Sequence, residues 1–194
     1  NRKYQAAMDV SGGGTTKIEL DGQNALDSSS SERAGLHKQI PGKLIITDET
    51  DDRGNEITAP KLDDSGSLTA KGGGSNGSAG IGGNIGESTK NITIEGYATV
   101  DATGGGSGGA GIGGGGGQSG DAENIIIQGH SKVTASADDG AAIGAAGYSG
   151  DFTEAEVTIG TPGATAATED VHIIATGLAG SAIGNGGSNT NVTI

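Results

Sequence analysis

Chemistry in this chain would have to come from carboxylates, hydroxyls, three histidines and a few aromatic side chains, because it has no cysteine and no tryptophan. The lack of cysteine removes disulfides, thiolate metal sites and cysteine nucleophiles, and it leaves an extracellular setting open. His37, His130 and His172 fall in different repeats or at different positions of a repeat, so a histidine metal cluster is not expected. Acidic residues gather at Asp48, Glu49, Asp51 and Asp52, at Asp63 and Asp64, and at Asp138 and Asp139. None of these groups has the spacing of an EF-hand loop or of a glycine-aspartate nonapeptide, so they read as solvated loop charge. The run Gly111 to Gly117 lacks the Lys-Ser/Thr and the helix of a phosphate-binding loop. Neither a metal nor a cofactor is expected.

The elements that must position these side chains follow from a repeat. Ala79-Gly80-Ile81-Gly82 returns as Ala110-Gly111-Ile112-Gly113, Ala141-Ala142-Ile143-Gly144 and Ser181-Ala182-Ile183-Gly184, with isoleucines 31, 31 and 40 residues apart. Ala34-Gly35-Leu36-His37 and Ala6-Ala7-Met8-Asp9 are degenerate earlier copies. Such a period marks a solenoid, in which each unit buries its apolar residues against its neighbours. Two further segments per unit alternate with period two. The first is Ile18-Glu19-Leu20, then Leu44-Ile45-Ile46, Ile92-Thr93-Ile94, Ile125-Ile126-Ile127, Val157-Thr158-Ile159 and Val192-Thr193-Ile194. The second is Leu68-Thr69-Ala70, then Val100-Asp101-Ala102, Val133-Thr134-Ala135 and Ile173-Ile174-Ala175, with Leu26 as the first-coil counterpart. Three such strands per unit predict one three-sided coil. The expected fold is all-β, a right-handed parallel β-helix of about five to six coils, forming one domain over residues 1–194. Insertions 47–66 and 160–170 should protrude at one corner.

Stacking at about 4.8 Å turns equivalent residues into rows. Leu20, Ile46, Ile94, Ile127, Ile159 and Ile194 should line the interior on face one, and Leu36, Ile81, Ile112, Ile143 and Ile183 on face three. Asn91, Asn124 and Asn191 precede face one, where asparagine tolerates unusual backbone angles and can bond along the stack. The rows Gly35, Gly80, Gly111, Ala142, Ala182 and Gly82, Gly113, Gly144, Gly184 should leave the outside of face three flat and bare. A glycosidase would need two carboxylates about 5–10 Å apart. The outward rows Glu19, Ile45, Thr93, Ile126, Thr158, Thr193 and Thr69, Asp101, Thr134, Ile174 place none in adjacent coils. Asp21 and Glu95 share a register two coils apart, about 9.6 Å by the strand spacing. The chain is therefore expected not to be an enzyme, and the interrupted threonine row argues against ice binding.

Aromatic residues are so few that their placement matters. Tyr97 and His130 each lie three residues beyond a face-one strand, with Gln23 and Glu49 in the same register, so they should stack on one corner beside both insertions. Tyr148 and Phe152 share a longer loop, Ala145 to Ala155. Tyr97, His130, Tyr148, Phe152 and Glu49 are the candidate binding residues. A formal charge of -13 repels phosphate backbones and anionic headgroups, which argues against nucleic acid. No apolar run approaches a membrane span of about 20 residues, and Asn1 to Val10 has no signal-peptide layout, so membrane insertion is not expected. A monomer is expected. The coil opened by Asn191 to Ile194 suggests that a longer protein continues past this end.

Gly72 to Gly83, Asn91 to Gly96 and Val100 to Ala102 together resemble the glycine-rich β-helical repeats of large surface proteins of gut Gram-positive bacteria. That resemblance covers nearly the whole chain and marks a scaffold rather than an activity. It implies a secreted or cell-surface, adhesin-like module binding a host protein, including the option of a superantigen that grips immunoglobulin variable domains. A polysaccharide-binding or polysaccharide-degrading β-helix and a purely structural stalk are the alternatives.

Overall fold

A computed structural model describes residues 5–49, 66–117, 120–147, 154–165, 169–184 and 189–193. The chain runs through strands in triplets, one per side of a triangular coil. The first coil holds β1 (Met8–Val10), β2 (Thr15–Glu19) and β3 (Gln23–Asp27), and the second β4 (Leu36–Lys38), β5 (Lys43–Thr47) and β6 (Ser67–Lys71). The third holds β7 (Ile81–Gly82), β8 (Thr89–Ile94) and β9 (Thr99–Thr103), and the fourth β10 (Ile112–Gly113), β11 (Ala122–Ile127) and β12 (Lys132–Ala137). The fifth holds β13 (Ile143–Gly144), β14 (Glu154–Ile159) and β15 (His172–Gly177), followed by β16 (Ile183–Gly184) and β17 (Asn189–Thr193). Every third strand pairs with its equivalents in the neighbouring coils, giving two six-stranded sheets and one five-stranded sheet, all parallel. This is a three-sided parallel β-helix, and no helix occurs among the described residues.

The expected rows exist as ladders. Leu36, Ile81, Ile112, Ile143 and Ile183 pair in sequence, and Met8 extends the row downward by pairing with Leu36. Ile46, Ile94, Ile127 and Ile159 do the same on face one. Ile46, Ile81, Ile94, Ile112, Ile127 and Ile143 are all 0% exposed. At roughly 1.5–3 kcal/mol for each fully buried aliphatic side chain, these rows are the main stabilising term.

The first coil differs from the expected alignment. Ile18, not Leu20, pairs with Ile46, and Lys17, not Glu19, pairs with Ile45. A two-residue slip keeps the inside and outside faces, so Leu20 stays buried at the following corner. Glu19 becomes level with Thr47, whose next-coil neighbour is Glu95, so Glu19 rather than Asp21 shares Glu95's column. Leu26 pairs with Ala70, while Asn24 occupies the Leu68 row.

Face three is not the bare surface expected. Gly82, Gly113 and Gly144 are buried, because the chain closes a turn around each two-residue strand: Ala79 N–H donates to Gly83 O, Ala110 to Gly114 O and Ala141 to Ala145 O. The flanking glycine loops then bond to one another, Gly116 N–H to Gly77 O and Gly147 N–H to Gly108 O. Gly82, Gly113 and Gly144 have φ of 136°, 143° and 135°, a region that is essentially glycine's own. A Cβ on any of them would overlap the carbonyl oxygen of the next glycine up the column. The row Gly35, Gly80, Gly111, Ala142 is also buried, with the Cβ positions of its glycines directed at neighbouring backbone.

Asn91 and Asn124 take left-handed φ of 60° and 53°, and Asn124 Nδ2 donates to Asn91 Oδ1 at 2.8 Å. The asparagine reading holds for these two, which lie where β8 and β11 carry one residue more than β14, a place where an αL residue fits a bulge, whereas Asn191 pairs in regular register with Glu156.

Candidate functional site

The corner between face one and face two is built by the turn after each face-one strand. Gly96 and Gly129 take φ of 67° and 76°, which bends the backbone so that the following residue projects outward. Tyr97 N–H donates to Asp48 O, His130 N–H to Gly96 O and Asp170 N–H to Gly129 O, each at 2.8 Å. These bonds place Glu49, Tyr97, His130 and Asp170 in one column, one per coil. The Tyr97 and His130 rings stack with centroids 4.9 Å apart and planes 6° from parallel. That separation is the strand spacing itself, so coil stacking aligns the two partly buried rings without further constraint.

Carboxylates and one amide fill the neighbouring positions. Glu49 Oε2 accepts from Lys17 Nζ at 2.6 Å, and this bond to Glu49 raises the Lys17 pKa above its ordinary value. Gln128 Nε2 donates to Glu95 Oε2 at 2.7 Å. From the 160–170 insertion, Glu169 reaches back to accept from Gly129 N–H at 2.9 Å and Thr161 N–H at 2.6 Å. Glu49, Glu95, Gln128, Thr161, Pro162 and Glu169 are among the residues lining an open groove of about 540 Å³. Such a groove offers hydrogen-bond acceptors to a cationic or hydroxyl-bearing group, and Gly96 and Gly129 in its lining directly precede Tyr97 and His130.

Beneath this surface Asp48 is fully buried. Its Oδ2 accepts from Gly66 N–H at 2.5 Å, while its Oδ1 and Thr47 Oγ1 have no partner among the described residues. Burial pushes the Asp48 carboxyl above the ordinary carboxylate range, the Gly66 bond opposing and Glu19 and Asp21 reinforcing that shift. The group has no exposure, so its role is structural.

Of the sequence candidates, Tyr97, His130 and Glu49 are brought together at one corner. Tyr148 and Phe152 lie outside the described residues, as do 50–65 of the first insertion and 166–168 of the second. Gln23 does not join the column: it pairs with Ser67 on face two. His172 sits on face two opposite Lys132, in a different column from His130. Glu95, weighed in the sequence only as a carboxylate partner of Asp21, belongs to this corner instead, and residues missed from the sequence are Gln128 and Glu169, and a second polar site at Asp9, His37 and Glu87. The second was visible as a departure from pattern, since Asp9 and His37 occupy the fourth repeat position, which is glycine in the later copies. Comparison with protein-family models, with curated proteins and with solved structures finds no match to this chain.

Proposed function

We propose that this chain is a non-catalytic binding module of an extracellular bacterial surface protein, adhesin-like, which grips a host protein at the Tyr97–His130 corner. The observation that carries the reading is the parallel stack of two partly buried rings beside a carboxylate-lined groove on a chain with only three tyrosines and one phenylalanine. Rigid aromatic side chains at a fixed spacing provide large contact area at low entropic cost, and such residues dominate binding hot spots. The acidic rim favours a partner that presents basic side chains. Immunoglobulin variable domains head the candidates because of the resemblance in the repeat.

A second reading is favoured by the groove's mixture of carboxylates and amide next to a ring, which suits sugar hydroxyls. The test is an interferometry screen against serum and mucosal proteins, run beside polysaccharide arrays. Binding to a protein that falls at least about tenfold in Tyr97→Ala, or about 1.4 kcal/mol, supports the proposal. Array signals with no protein binder favour the glycan reading, and silence in both leaves a stalk.

A further inference from the structure

Asp9 and His37 stand in the column that is glycine in the later coils: Asp9 pairs with His37, and His37 with Gly82. The His37 side chain is 5% exposed. Its Nε2 lies 2.7 Å from Glu87 Oε2, an oxygen that also accepts from Asn84 Nδ2 at 3.2 Å. Arg33 Nη1 lies 4.0 Å from the other Glu87 oxygen. An ionised carboxylate only accepts, so Nε2 carries the proton of this short bond. On the opposite edge of the ring, Nδ1 faces Asp9 Oδ2 at 3.4 Å, beyond the roughly 2.7–3.2 Å of an N–H···O hydrogen bond.

A neutral imidazole would therefore set a lone pair of the buried ring against a carboxylate oxygen of the half-exposed Asp9. Those two atoms repel unless a positive charge, carried by the ring or by an ion between them, offsets the repulsion. Their separation is the one expected for two ligands of a single tetrahedral ion, since bonds of about 2.0–2.1 Å put nitrogen and oxygen roughly 3.3–3.4 Å apart. Glu87 is placed as the outer partner that fixes the tautomer and orientation of a metal-bound histidine. An open cavity of about 520 Å³, lined by Asp9, His37, Gln5 and Gln39 among others, adjoins the ring and has room for water or an amide oxygen to complete the shell.

We propose that His37 Nδ1 and Asp9 Oδ2 bind a divalent transition-metal ion of the Zn²⁺ type, with Glu87 as positioning residue. Among the described residues no group of three or more His, Cys, Asp or Glu is arranged to hold a metal, so the protein supplies two ligands and the affinity is modest. Imidazole selects this class of ion over Ca²⁺ and Mg²⁺. Asp9, His37 and Glu87 come from three successive coils, so the ion ties the first coil to the body of the solenoid.

The experiment titrates Zn²⁺ into the whole 194-residue chain, free of any affinity tag, by calorimetry, with Ca²⁺ as control. Imidazole ¹⁵N spectra and thermal melts are recorded on the same samples. Expected results are saturable binding of one Zn²⁺ and a melting temperature that rises with its concentration. The Nδ1 resonance of His37 should shift while Nε2 keeps its proton. His37→Gln and Asp9→Asn should each weaken binding at least about tenfold, or 1.4 kcal/mol. Asp9 is 53% exposed in its side chain, so Asp9→Asn remains informative where His37→Gln fails to fold. No saturable Zn²⁺ binding would overturn the inference. It would fall equally if Asp9→Asn bound as wild type, or if the shifted ring belonged to His130 or His172.

Discussion

Two corners of the same coil obey opposite rules. Where the chain leaves face three, Gly82, Gly113 and Gly144 are walled in by the carbonyls of the next coil, and no side chain fits. Where it leaves face one, glycine takes the bend at Gly96 and Gly129, and the next position carries Tyr97 or His130 into solvent. The first corner closes the tube and the second displays side chains. Repetition alone therefore does not make a solenoid uniform in its capacity for function: chemistry can vary only where the stacked backbone leaves room for a Cβ.

The sharpest way to break that contrast is Gly113→Val. It combines a φ of 143° with overlap on Gly144, so a loss of at least about 4 kcal/mol is expected, enough to abolish a cooperative melt. A near-normal thermal unfolding curve by circular dichroism would show that the glycine corner can yield. Next in size is Ile112→Ala, one residue earlier and wholly buried, with an expected loss of about 2–5 kcal/mol in chemical denaturation. If the isoleucine change proved the costlier of the two, core packing rather than backbone closure would set the limit at this corner.

This contrast is only partly legible in the sequence. Ile81, Ile112 and Ile143 can be aligned because a period-two pattern states which side chains face inward, and the offset of three residues brings Tyr97 and His130 together without any structure. The slip at Ile18 is not legible, because Ile18-Glu19-Leu20 fits the same alternation in either register. Nor is the burial of Gly82, since a missing side chain does not reveal whether backbone or water occupies its place. Glu169 is hidden for a different reason: its insertion folds back onto Gly129, and no periodicity governs that loop. The Asp9 and His37 column is legible only as an exception, as the residues that replace an otherwise constant glycine.

On the inner side of the display corner, Asp48→Asn tests what the buried carboxyl contributes. Because burial raises its pKa, the folded state keeps the proton at pH values where the unfolded chain has released it. Stability therefore falls as pH rises from the ordinary carboxylate range through the raised value, and stays lower above it. An asparagine side chain at this position cannot ionise, so the variant should lose that part of the acid-to-neutral decline in denaturant midpoint. An unchanged pH profile would place the ionisation elsewhere, leaving the Gly66 bond as the only role of the side chain.

The smallest expected effect separates positive φ from crowding. Asn124 has φ of 53° and an exposed side chain, and it bonds to Asn91, so its backbone is left-handed without being enclosed. Asn124→Gly relieves the conformational cost but removes a hydrogen bond of about 0.5–1.5 kcal/mol, giving a net change within about 1 kcal/mol. The reciprocal Gly113→Asn should behave unlike it, since asparagine accepts φ near 53° but not 143°, and the Gly144 carbonyl remains in the way. Comparable midpoints for the two variants would mean that steric closure along the stack, rather than the sign of φ, had been overstated as the reason glycine is required at Gly113.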